Sequence, residues 1–301
     1  MALIFNKEKQ TISMLEELVY LAEKGTPTGK NFGHFPSGRI GTLLDRLTEI
    51  YNKGLVTKED ISIERERVIF QTQENIVRKK QLTQNINHEL KTPVSSICGY
   101  LETLVSNPNI PPATRELFIS KAYSQAKRLS DLLGDLSTLT RMEEGSDKIS
   151  KEPLNLSEIV KDVVRSIEIS VNSSCKIVNN LPDDLSINGN YSLIESIFNN
   201  LLENALLYSK GSKVEINLTK RDEKMLYFSV SDNGTGVDPI HLDRIFERFY
   251  RVDKGRSREL GGTGLGLSIV KNSVLIHGGK ITAENSKPKG LTFNFSLMIN
   301  N

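Results

Sequence analysis

Cysteine is scarce in this sequence, and long apolar runs are missing. Among the 301 residues only Cys98 and Cys175 carry thiols, and their spacing is not that of a metal clip. Two isolated thiols are typical of a reducing compartment and argue against a disulfide framework. No apolar run approaches the roughly 18 residues that can span a bilayer, and no signal peptide is visible. We therefore expect a cytoplasmic chain without a membrane-spanning helix.

A strong charge of one sign is also lacking. The formal net charge is +2, although 25% of the residues are charged. This balance excludes a protein built mainly to coat nucleic acid or an anionic membrane, so we expect no direct contact with nucleic acid. With 38% hydrophobic residues the chain has the composition of a soluble globular protein, and its length suits two or three modest domains.

Two common phosphate-binding signatures are absent as well. GTPTGKN at 25–31 has the wrong spacing for a Walker loop and carries Asn where Ser or Thr is required. GGTGLGLSIVK at 261–271 lacks the Walker ending of Gly, Lys and Ser or Thr. The charged segment before it, RVDKGRSREL, is not the buried strand that precedes a dinucleotide-binding fingerprint.

Hydrophobic spacing predicts a helical front half. Residues 1–56 have the pattern of two amphipathic helices, 57–80 that of a charged helical linker, and 81–145 that of two heptad-like helices around the proline-rich turn at 106–113. The two apolar seams are Ile86, Leu90, Val94, Ile97, Leu101 and Leu104, then Ile119, Ala122, Ala126, Leu129, Leu133 and Leu136. One hairpin cannot cover both seams, so we expect a homodimer that closes a four-helix bundle.

The pattern changes to mixed α/β after a linker at 143–153. Ser157 is a candidate helix cap. Strands are predicted at 175–179, 213–219, 225–231, 279–284 and 291–297, and helices at 191–208 and 265–277. The predicted fold is therefore multidomain, with a helical hairpin that dimerises into a four-helix bundle followed by an α/β sandwich over 153–301.

The stretch NINHELKTPVSS, residues 85–96, combines a histidine with a carboxylate and a proline. His88 lies off the apolar seam and should point to solvent, with Thr92 on the same face and Glu89 beside it. A neighbouring carboxylate favours a neutral imidazole with one nitrogen ready to attack. Pro93 removes a helical hydrogen bond next to this group, so we predict a hinge there.

Two further segments carry polar groups suited to a nucleotide. Asn200 and Asn204 share one face of a helix, and paired amide oxygens suit Mg²⁺. In SDNGTGV, Asp232 can accept a hydrogen bond from the exocyclic amine of a base. Gly234 and Gly236 let the backbone approach a flat ring.

The segment 244–271 predicts a phosphate site. Three glycines, Gly262, Gly264 and Gly266, precede a helix, and the free N–H groups at a helix start attract anions. The basic and aromatic segment before them, RIFERFYRVDKGRSREL, has the character of a lid over a bound triphosphate. Each feature alone also fits a surface histidine, solvated asparagines, a glycine turn or a charged loop; their order along one chain favours the joint interpretation.

Five segments together resemble the sequence boxes of bacterial two-component sensor histidine kinases. HELKTP resembles the phospho-acceptor box, NLLENALLYS the asparagine box, DNGTGV the first glycine box, IFERFYRVD the phenylalanine box and GGTGLGLSIV the second glycine box. The resemblance extends from about residue 80 to the C-terminus, and KGLTFNFSL at 289–297 is similar to the family's closing strand. It implies an ATP-binding sandwich of the Bergerat type after a dimerisation and phosphotransfer hairpin.

The resemblance also implies roles for individual residues. His88 would be phosphorylated, Glu89 would be its activating base, and Thr92 would orient a water that dephosphorylates a partner regulator. Asp232 would read the adenine and Tyr208 would stack near it.

The remaining implied positions bind phosphate and metal. Asn200 and Asn204 would hold Mg²⁺. The other implied ATP-binding residues are Gly234, Gly236, Arg248, Arg251, Gly262, Thr263, Gly264, Leu265, Gly266 and Leu267. Leu207 departs from the pattern, because many relatives carry a basic residue there, and Lys210 is placed to compensate.

The implied partners are a second copy of the chain and the receiver domain of a response regulator. Residues 1–56 resemble a HAMP signal-relay module, with RIGTL similar to the start of its second helix. A membrane sensor segment ahead of Met1, which would make this the cytoplasmic part of an inner-membrane sensor, stays open. So do three other functions: a clamp-type ATPase of the same superfamily, a non-catalytic dimeric scaffold that binds a regulator, and a protein acting chiefly as a phosphatase.

Overall fold

The structure is a computed structural model that describes residues 58–143, 149–170, 175–252 and 262–300. Its helices are α1 Lys58–Ser106, α2 Pro112–Glu143, α3 Leu156–Ser170, α4 Tyr191–Tyr208, α5 Pro239–Leu242 and α6 Gly266–Ile276. Its strands are β1 Glu152–Asn155, β2 Lys176–Asn179, β3 Ser186–Gly189, β4 Lys213–Arg221, β5 Met225–Asp232, β6 Ile281–Asn285 and β7 Leu291–Met298. The HAMP-like helices predicted at 1–56 lie outside the described residues.

The chain divides into two compact units, Met1–Ile86 and Asn87–Asn301. In the described part of the first unit, α1 buries Val68 and Thr72. The Thr72 hydroxyl donates to the carbonyl of Val68 at 2.7 Å, which satisfies this polar group inside the helix. All the site residues predicted from the sequence lie in the second unit.

Helices α1 and α2 form an antiparallel hairpin. The rings of Tyr100 and Phe118 lie 5.5 Å apart near the turn, and Glu89 meets Arg128 further along. Helix α1 continues through Pro93, so the helix tolerates the hydrogen bond lost at this residue. The hinge predicted at this residue stays a prediction.

Much of the apolar seam is exposed in the single chain. The exposed members include Val94, Leu101, Ile119 and Leu133. Ala122 is buried, and Leu136 packs with buried residues on the side of α2 that faces the α/β domain. The predicted seams therefore combine residues that pack at the α/β domain with residues that are exposed in the single chain.

The α/β domain is a five-stranded sheet covered by helices. The strand order is β2-β4-β5-β7-β6, with β2 parallel to β4 and the other pairs antiparallel. Helices α3, α4 and α6 share one apolar core with this sheet. At its centre Phe198 lies 6.2 Å from Phe228 and 5.8 Å from Phe295, ring to ring. The helical hairpin followed by an α/β sandwich confirms the predicted fold class.

The predicted strands and helices of this domain are present with small shifts at their ends. A two-stranded antiparallel sheet of β1 and β3 was not predicted. Each of these strands has four residues and only weak alternation, so the sequence carries little signal for them.

The predicted cap at Ser157 is wrong. Helix α3 begins at Leu156, and the side-chain oxygen of Asn155 accepts from the N–H of Glu158 at 3.2 Å. Ser157 is buried in the first turn, donates to the carbonyl of Pro182 and accepts from the N–H of Leu185. The helix therefore starts two residues earlier than a cap at Ser157 would require, and the serine ties it to the loop before β3.

The predicted linker at 143–153 is partly attached to the α/β domain. Lys151 Nζ donates to the carbonyl of Ile276 at 3.1 Å, at the end of α6. The amide of Asn190, which caps α4, donates to the carbonyl of Ser150 at 3.0 Å. Residues 149–152 thus belong to the surface of the domain that they precede.

Candidate functional site

His88 presents its imidazole to solvent beside a carboxylate. Its side chain is 65% exposed, and its Nδ1 lies 3.8 Å from Oε1 of Glu89. The hydroxyl of Thr92 donates to the carbonyl of His88 at 3.1 Å, one turn along the same helix. A carboxylate near Nδ1 favours the tautomer with the proton on that nitrogen, which leaves the lone pair of Nε2 available for attack.

Glu89 is held by two guanidinium groups. Its Oε2 accepts from Nη2 of Arg128 at 3.1 Å and from Nη2 of Arg251 at 3.2 Å. All three side chains are largely buried, because 13% of Glu89, 12% of Arg128 and 7% of Arg251 is exposed. Arg251 also donates to the carbonyl of Gly262 at 2.6 Å, so it connects the hairpin to the glycine loop.

Arg128 is a residue that the sequence interpretation missed. In the sequence Arg128 lies between the seam residues Ala126 and Leu129 and is one of several basic residues on a charged helix. Only its position opposite Glu89 in the hairpin gives it a partner, so no local pattern could have identified it.

The α/β domain contacts helix α2 through an apolar cluster, which we call the docking interface. Leu132, Leu139 and Met142 from α2 pack in it with Leu193 of α4 and with Leu265 and Ile269 at the start of α6. Phe249 and Leu136 pack against its edge. Several predicted phosphate-loop residues are therefore beside the hairpin in this arrangement.

Two polar pairs frame the docking interface. The hydroxyl of Thr263 donates to Oδ2 of Asp135 at 2.8 Å, and Nη1 of Arg248 donates to Oε1 of Glu143 at 2.5 Å. Burial raises the pKa of Asp135 above its ordinary value; the bond from Thr263 lowers it, and the charge of Asp131 adds to the rise. Neutral Asp135 is thus favoured by docking.

In the asparagine pair of α4, Asn200 has a side chain whose orientation is set by hydrogen bonds. The amide nitrogen of Asn200 donates to the carbonyl and the hydroxyl of Ser196, at 2.8 and 3.0 Å. Its Oδ1 faces Gly266, where an added Cβ would lie 2.2 Å from that oxygen. Asn204 follows one turn later and is half-buried. The Asn200 oxygen is therefore directed to the glycine loop and fits a Mg²⁺ ligand.

Within the part of the chain that the structure describes, carboxylate clusters do not offer an alternative metal site. Among the described residues no group of three or more His, Cys, Asp or Glu side chains could hold a metal ion. A cation held by amide oxygens alone needs further oxygen ligands, and those of Mg²⁺ are usually waters and phosphates. The residues present therefore fit Mg²⁺ that arrives with a nucleotide.

Asp232 ends strand β5 with its side chain in the domain. It is 7% exposed, and its Oδ1 accepts from the N–H of Gly234 at 2.8 Å. Burial raises its pKa, while the N–H groups of Gly234 and Leu291 lower it. The carboxylate is thus fixed at the edge of a glycine turn and is able to accept a directed hydrogen bond.

The glycine turn after Asp232 is closely packed. A Cβ on Gly234 would lie 2.0 Å from the carbonyl oxygen of Ser209, and Gly236 has a φ of +70°. Asn285 holds the end of the turn, because its side chain accepts from the N–H of Val237 at 2.9 Å and donates to the carbonyl of Val237 at 2.6 Å. Glycine is therefore required at 234 for space and is favoured at 236 by conformation.

Tyr208 is the last residue of α4 and is half-buried. Burial raises its pKa, and the charges of Arg251 and Arg128 lower it. The predicted stacking of this ring on adenine is not tested by the structure.

The second glycine segment leads into α6 as predicted. Gly264 has a φ of +75°, and its carbonyl accepts from the N–H of Phe249 at 2.8 Å. The N–H of Leu265 donates to the Thr263 hydroxyl at 3.2 Å. Helix α6 begins at Gly266, and Leu267 packs against the main core. The loop is thereby placed at a helix N-terminus, where anions are stabilised.

Two histidines outside the predicted site, His277 and His241, have polar partners within the α/β domain. Nδ1 of His277 donates to the carbonyl of Ser273 at 2.7 Å, and its Nε2 accepts from the N–H of Asn190 at 3.0 Å. Burial lowers the pKa of His277. Nδ1 of His241 lies 2.6 Å from the hydroxyl oxygen of Tyr250. His277 thus ties the start of α4 to the end of α6.

Two family models match the chain. Residues 78–145 match the His Kinase A (phospho-acceptor) domain. Residues 189–301 match the histidine kinase-, DNA gyrase B- and HSP90-like ATPase. The first match contains His88, and the second contains both glycine segments and the asparagine pair.

Curated relatives share the same region. The sensor histidine kinase WalK of Bacillus subtilis is 33% identical over 226 residues, which is 73% of this chain and 36% of that protein. The sensor-like histidine kinase SenX3 of Mycolicibacterium smegmatis is 34% identical over 221 residues, which is 73% of this chain and 57% of that protein. The match thus spans only about a third to just over half of the length of these relatives.

Solved structures have a similar fold. The histidine kinase AdeS of Acinetobacter baumannii has a TM-score of 0.58 at 24% identity, over 71% of this chain and 98% of that one. The histidine kinase ThkA, solved in complex with the response regulator protein TrrA, has a TM-score of 0.59 at 20% identity, over 75% of this chain and 64% of that one. At these identities the likeness concerns the fold alone. In the described residues no helix has both the length and the apolarity to cross a bilayer.

Proposed function

Because the chain belongs to the two-component sensor histidine kinase family, we propose that it phosphorylates its own His88 from Mg-ATP. The observation that carries this proposal is the exposed imidazole with Nδ1 directed to Glu89. The same compact unit contains a buried aspartate at a glycine turn, an oriented asparagine and a glycine loop at a helix start. These are the parts that phosphoryl transfer needs: a nucleophile with its base, and groups that position phosphates.

The proposed reaction uses both nitrogens of the imidazole. Nε2 of His88 attacks the γ-phosphorus of ATP, the bond from that phosphorus to the bridging oxygen of ADP breaks, and ADP leaves. The Nδ1 proton passes to the carboxylate of Glu89, which acts as the general base. Because the imidazole is outside the hairpin core, the phosphorus can approach in line with the leaving oxygen.

We assign the nucleotide to the α/β domain. Asp232 accepts a hydrogen bond from the amine of adenine, Gly234 and Gly236 admit the ring, and Tyr208 stacks near it. The N–H groups from Gly262 to Leu267, with Arg248 and Arg251, bind phosphate oxygens. Asn200 and Asn204 would hold Mg²⁺, which would neutralise part of the phosphate charge.

The docking interface has to open for this assignment to work. Arg251 bonds to Glu89, Thr263 to Asp135 and Arg248 to Glu143, so each of these proposed phosphate ligands has a partner on the hairpin. ATP binding and docking therefore compete for the same side chains. We propose that bending at Pro93 controls this exchange and admits the nucleotide-loaded domain to His88.

We propose that the phosphoryl group then passes to an aspartate in the receiver domain of a response regulator. The complex of the related histidine kinase ThkA with TrrA supports a partner of this class. We also propose that Thr92, exposed one turn beyond His88, orients a water that removes phosphate from that regulator.

We further propose that the hairpin forms a homodimer. Val94, Leu101, Ile119 and Leu133 belong to the predicted seams and are between 44% and 54% exposed. Burying them against a second hairpin would remove this apolar surface from water and close a four-helix bundle.

The decisive experiment follows labelled phosphate. Incubation with Mg²⁺ and γ-labelled ATP should give an acid-labile, alkali-stable label that is absent in His88→Gln and transferable to a receiver domain. His277→Gln is a poor control because that residue is buried, so Lys91→Gln, exposed near His88 on the same helix, serves as the matched variant. Label that persists in His88→Gln would refute the assignment of the acceptor. Hydrolysis of ATP without any label on the protein would favour the clamp-type ATPase.

A further inference from the structure

We infer that Arg128 is a positioning residue for the phosphorylation of His88, an inference that rests on the proposed function. Its guanidinium binds Oε2 of Glu89 at 3.1 Å. The other oxygen of that carboxylate, Oε1, is the one closest to Nδ1 of His88, at 3.8 Å. Arg128 thus holds Glu89 in the orientation that a proton acceptor for His88 requires.

The two arginines at Glu89 differ in what holds them there. Arg251 belongs to the α/β domain, so its bond to Glu89 links that domain to the hairpin beside the docking interface. Arg128 belongs to α2 of the hairpin that also carries His88, so it can stay with Glu89 when the α/β domain moves. It is therefore the arginine that remains available to orient Glu89 during the reaction.

Burial makes this contact effective. Arg128 and Glu89 are 12% and 13% exposed, so water screens their attraction much less than that of a surface pair. A long glutamate side chain without such an anchor samples several rotamers, and only some of them place an oxygen near Nδ1. A charged anchor on one oxygen reduces this freedom before ATP arrives.

The effect of losing the anchor follows from the size of general base catalysis. A positioned acid or base contributes about 10²–10⁴ in rate, and loss of orientation removes part of that. We expect Arg128→Met to lower kcat for His88 phosphorylation by about 10- to 100-fold. The KM for ATP should stay within about twofold, because Arg128 lies outside the proposed nucleotide site.

The experiment is a double-variant cycle on the full chain. Initial rates with γ-labelled ATP are measured for wild type, Arg128→Met, Glu89→Gln and the double variant. If Arg128 acts through Glu89, Arg128→Met has little further effect once Glu89 is Gln. Arg128→Lys, which keeps the charge, should recover part of the rate. Lys127→Met, an exposed neighbour on the same helix, should behave as wild type and controls for general loss of positive charge.

A second measurement does not depend on turnover. In ¹⁵N-histidine-labelled protein near pH 8, the His88 signals, assigned with His88→Gln, report which nitrogen carries the proton. Wild type should favour protonated Nδ1, and Arg128→Met should shift this preference toward that of Glu89→Gln. This readout separates the two proposals, since it tests Arg128 even if no label reaches His88.

Three results would overturn the inference. The first is a wild-type kcat in Arg128→Met while His88 is labelled normally. The second is a double variant whose loss equals the product of the single losses, which would show that Arg128 acts independently of Glu89. The third is an unchanged His88 tautomer in Arg128→Met. Should this variant fail to fold, Arg128→Lys takes its place in the cycle, and its loss must again vanish in the Glu89→Gln background.

Discussion

Truncation of Leu139 should open the docking interface. This side chain is 3% exposed and packs in one cluster with Leu265 and Ile269, which are 0% and 1% exposed. The cluster joins the hairpin to the α/β domain. Each of these two parts also has a core or contacts of its own. Leu139→Ala is therefore expected to act mainly on docking and much less on the folding of either part.

The expected loss follows from the atoms removed. Leu→Ala deletes the equivalent of three methylene groups, each contributing about 0.8 kcal/mol when buried, and core truncations of this kind cost about 2–5 kcal/mol in total. The two surfaces can move together to reduce the cavity, so we take the lower part of that range, about 2–3 kcal/mol. At about 1.4 kcal/mol for each factor of ten, the ratio of docked to open protein should fall by about 30- to 140-fold.

Methyl NMR of Ile269 measures this ratio. Its methyl groups are buried in the docking interface when the domain is docked and meet water when it opens, so their shifts report the populations. A nucleotide analogue should also bind more tightly to Leu139→Ala, because Arg251 and Thr263 no longer have to leave their hairpin partners.

Leu133→Ala is the matched control. Leu133 lies on the same helix but is 49% exposed, so its truncation should leave the Ile269 signals in place. Its effect should appear instead in sedimentation, as weaker dimerisation. If Leu139→Ala keeps the wild-type ratio of docked to open protein, or if Leu133→Ala changes it equally, the apolar cluster does not hold the domain on the hairpin.

Three other variants test the electrostatics and the packing. Asp135→Asn should strengthen docking at neutral pH. The pKa of Asp135 is raised above 3.8, so docking should be strongest when this carboxyl is protonated and should weaken as pH rises through the raised pKa. The amide of the variant is neutral and can still accept from Thr263, so the pH dependence of docking measured by Ile269 NMR should flatten. His277→Gln should lower the unfolding temperature more at pH 8 than at pH 5. Because the pKa of His277 is lowered in the folded protein, the neutral imidazole contributes stability above about pH 6.5, and this stability is lost as pH falls through the pKa of the folded state. Equal shifts of the unfolding temperature at both pH values would contradict this. Gly234→Ala should abolish nucleotide binding in a titration, because its Cβ would lie 2.0 Å from a carbonyl oxygen. Gly134→Ala is the control: its Cβ would have no neighbour within 4 Å on an exposed part of a helix, so it should stabilise the fold by about 0.5–1 kcal/mol.

The elements of the α/β domain could be predicted because each leaves a local trace in the sequence. Alternation identified β4 and β5, and the helix predicted at 191–208 is the observed Tyr191–Tyr208. The glycine segments stood out because glycine is needed where backbone crowds or takes a positive φ. Strands β1 and β3 are too short to show a clear alternation in the sequence. The predicted cap at Ser157 was wrong because hydrophobic periodicity does not locate the first residue of a helix accurately enough to identify its cap.

The candidate residues could be named from the sequence, but their partners could not. Chemistry in local order singled out His88, Glu89 and the asparagine pair, and the structure places these residues in the same compact unit as the glycine segments. The sequence contained no sign that Arg128 and Arg251 would share Glu89, since they lie 39 and 162 residues away from it.

The sequence by itself therefore determined which segments form helices and strands, and which short segments carry reactive or phosphate-binding groups. Only the tertiary structure decided which apolar face of α2 meets the α/β domain and which remains exposed, because Leu132 and Leu133 have the same side chain and differ only in direction around the helix. The tertiary structure also decided which charged side chains pair with one another. Hydrophobic periodicity indicates that one face of a helix is buried. Which surface packs against that face depends on contacts between residues far apart in the chain.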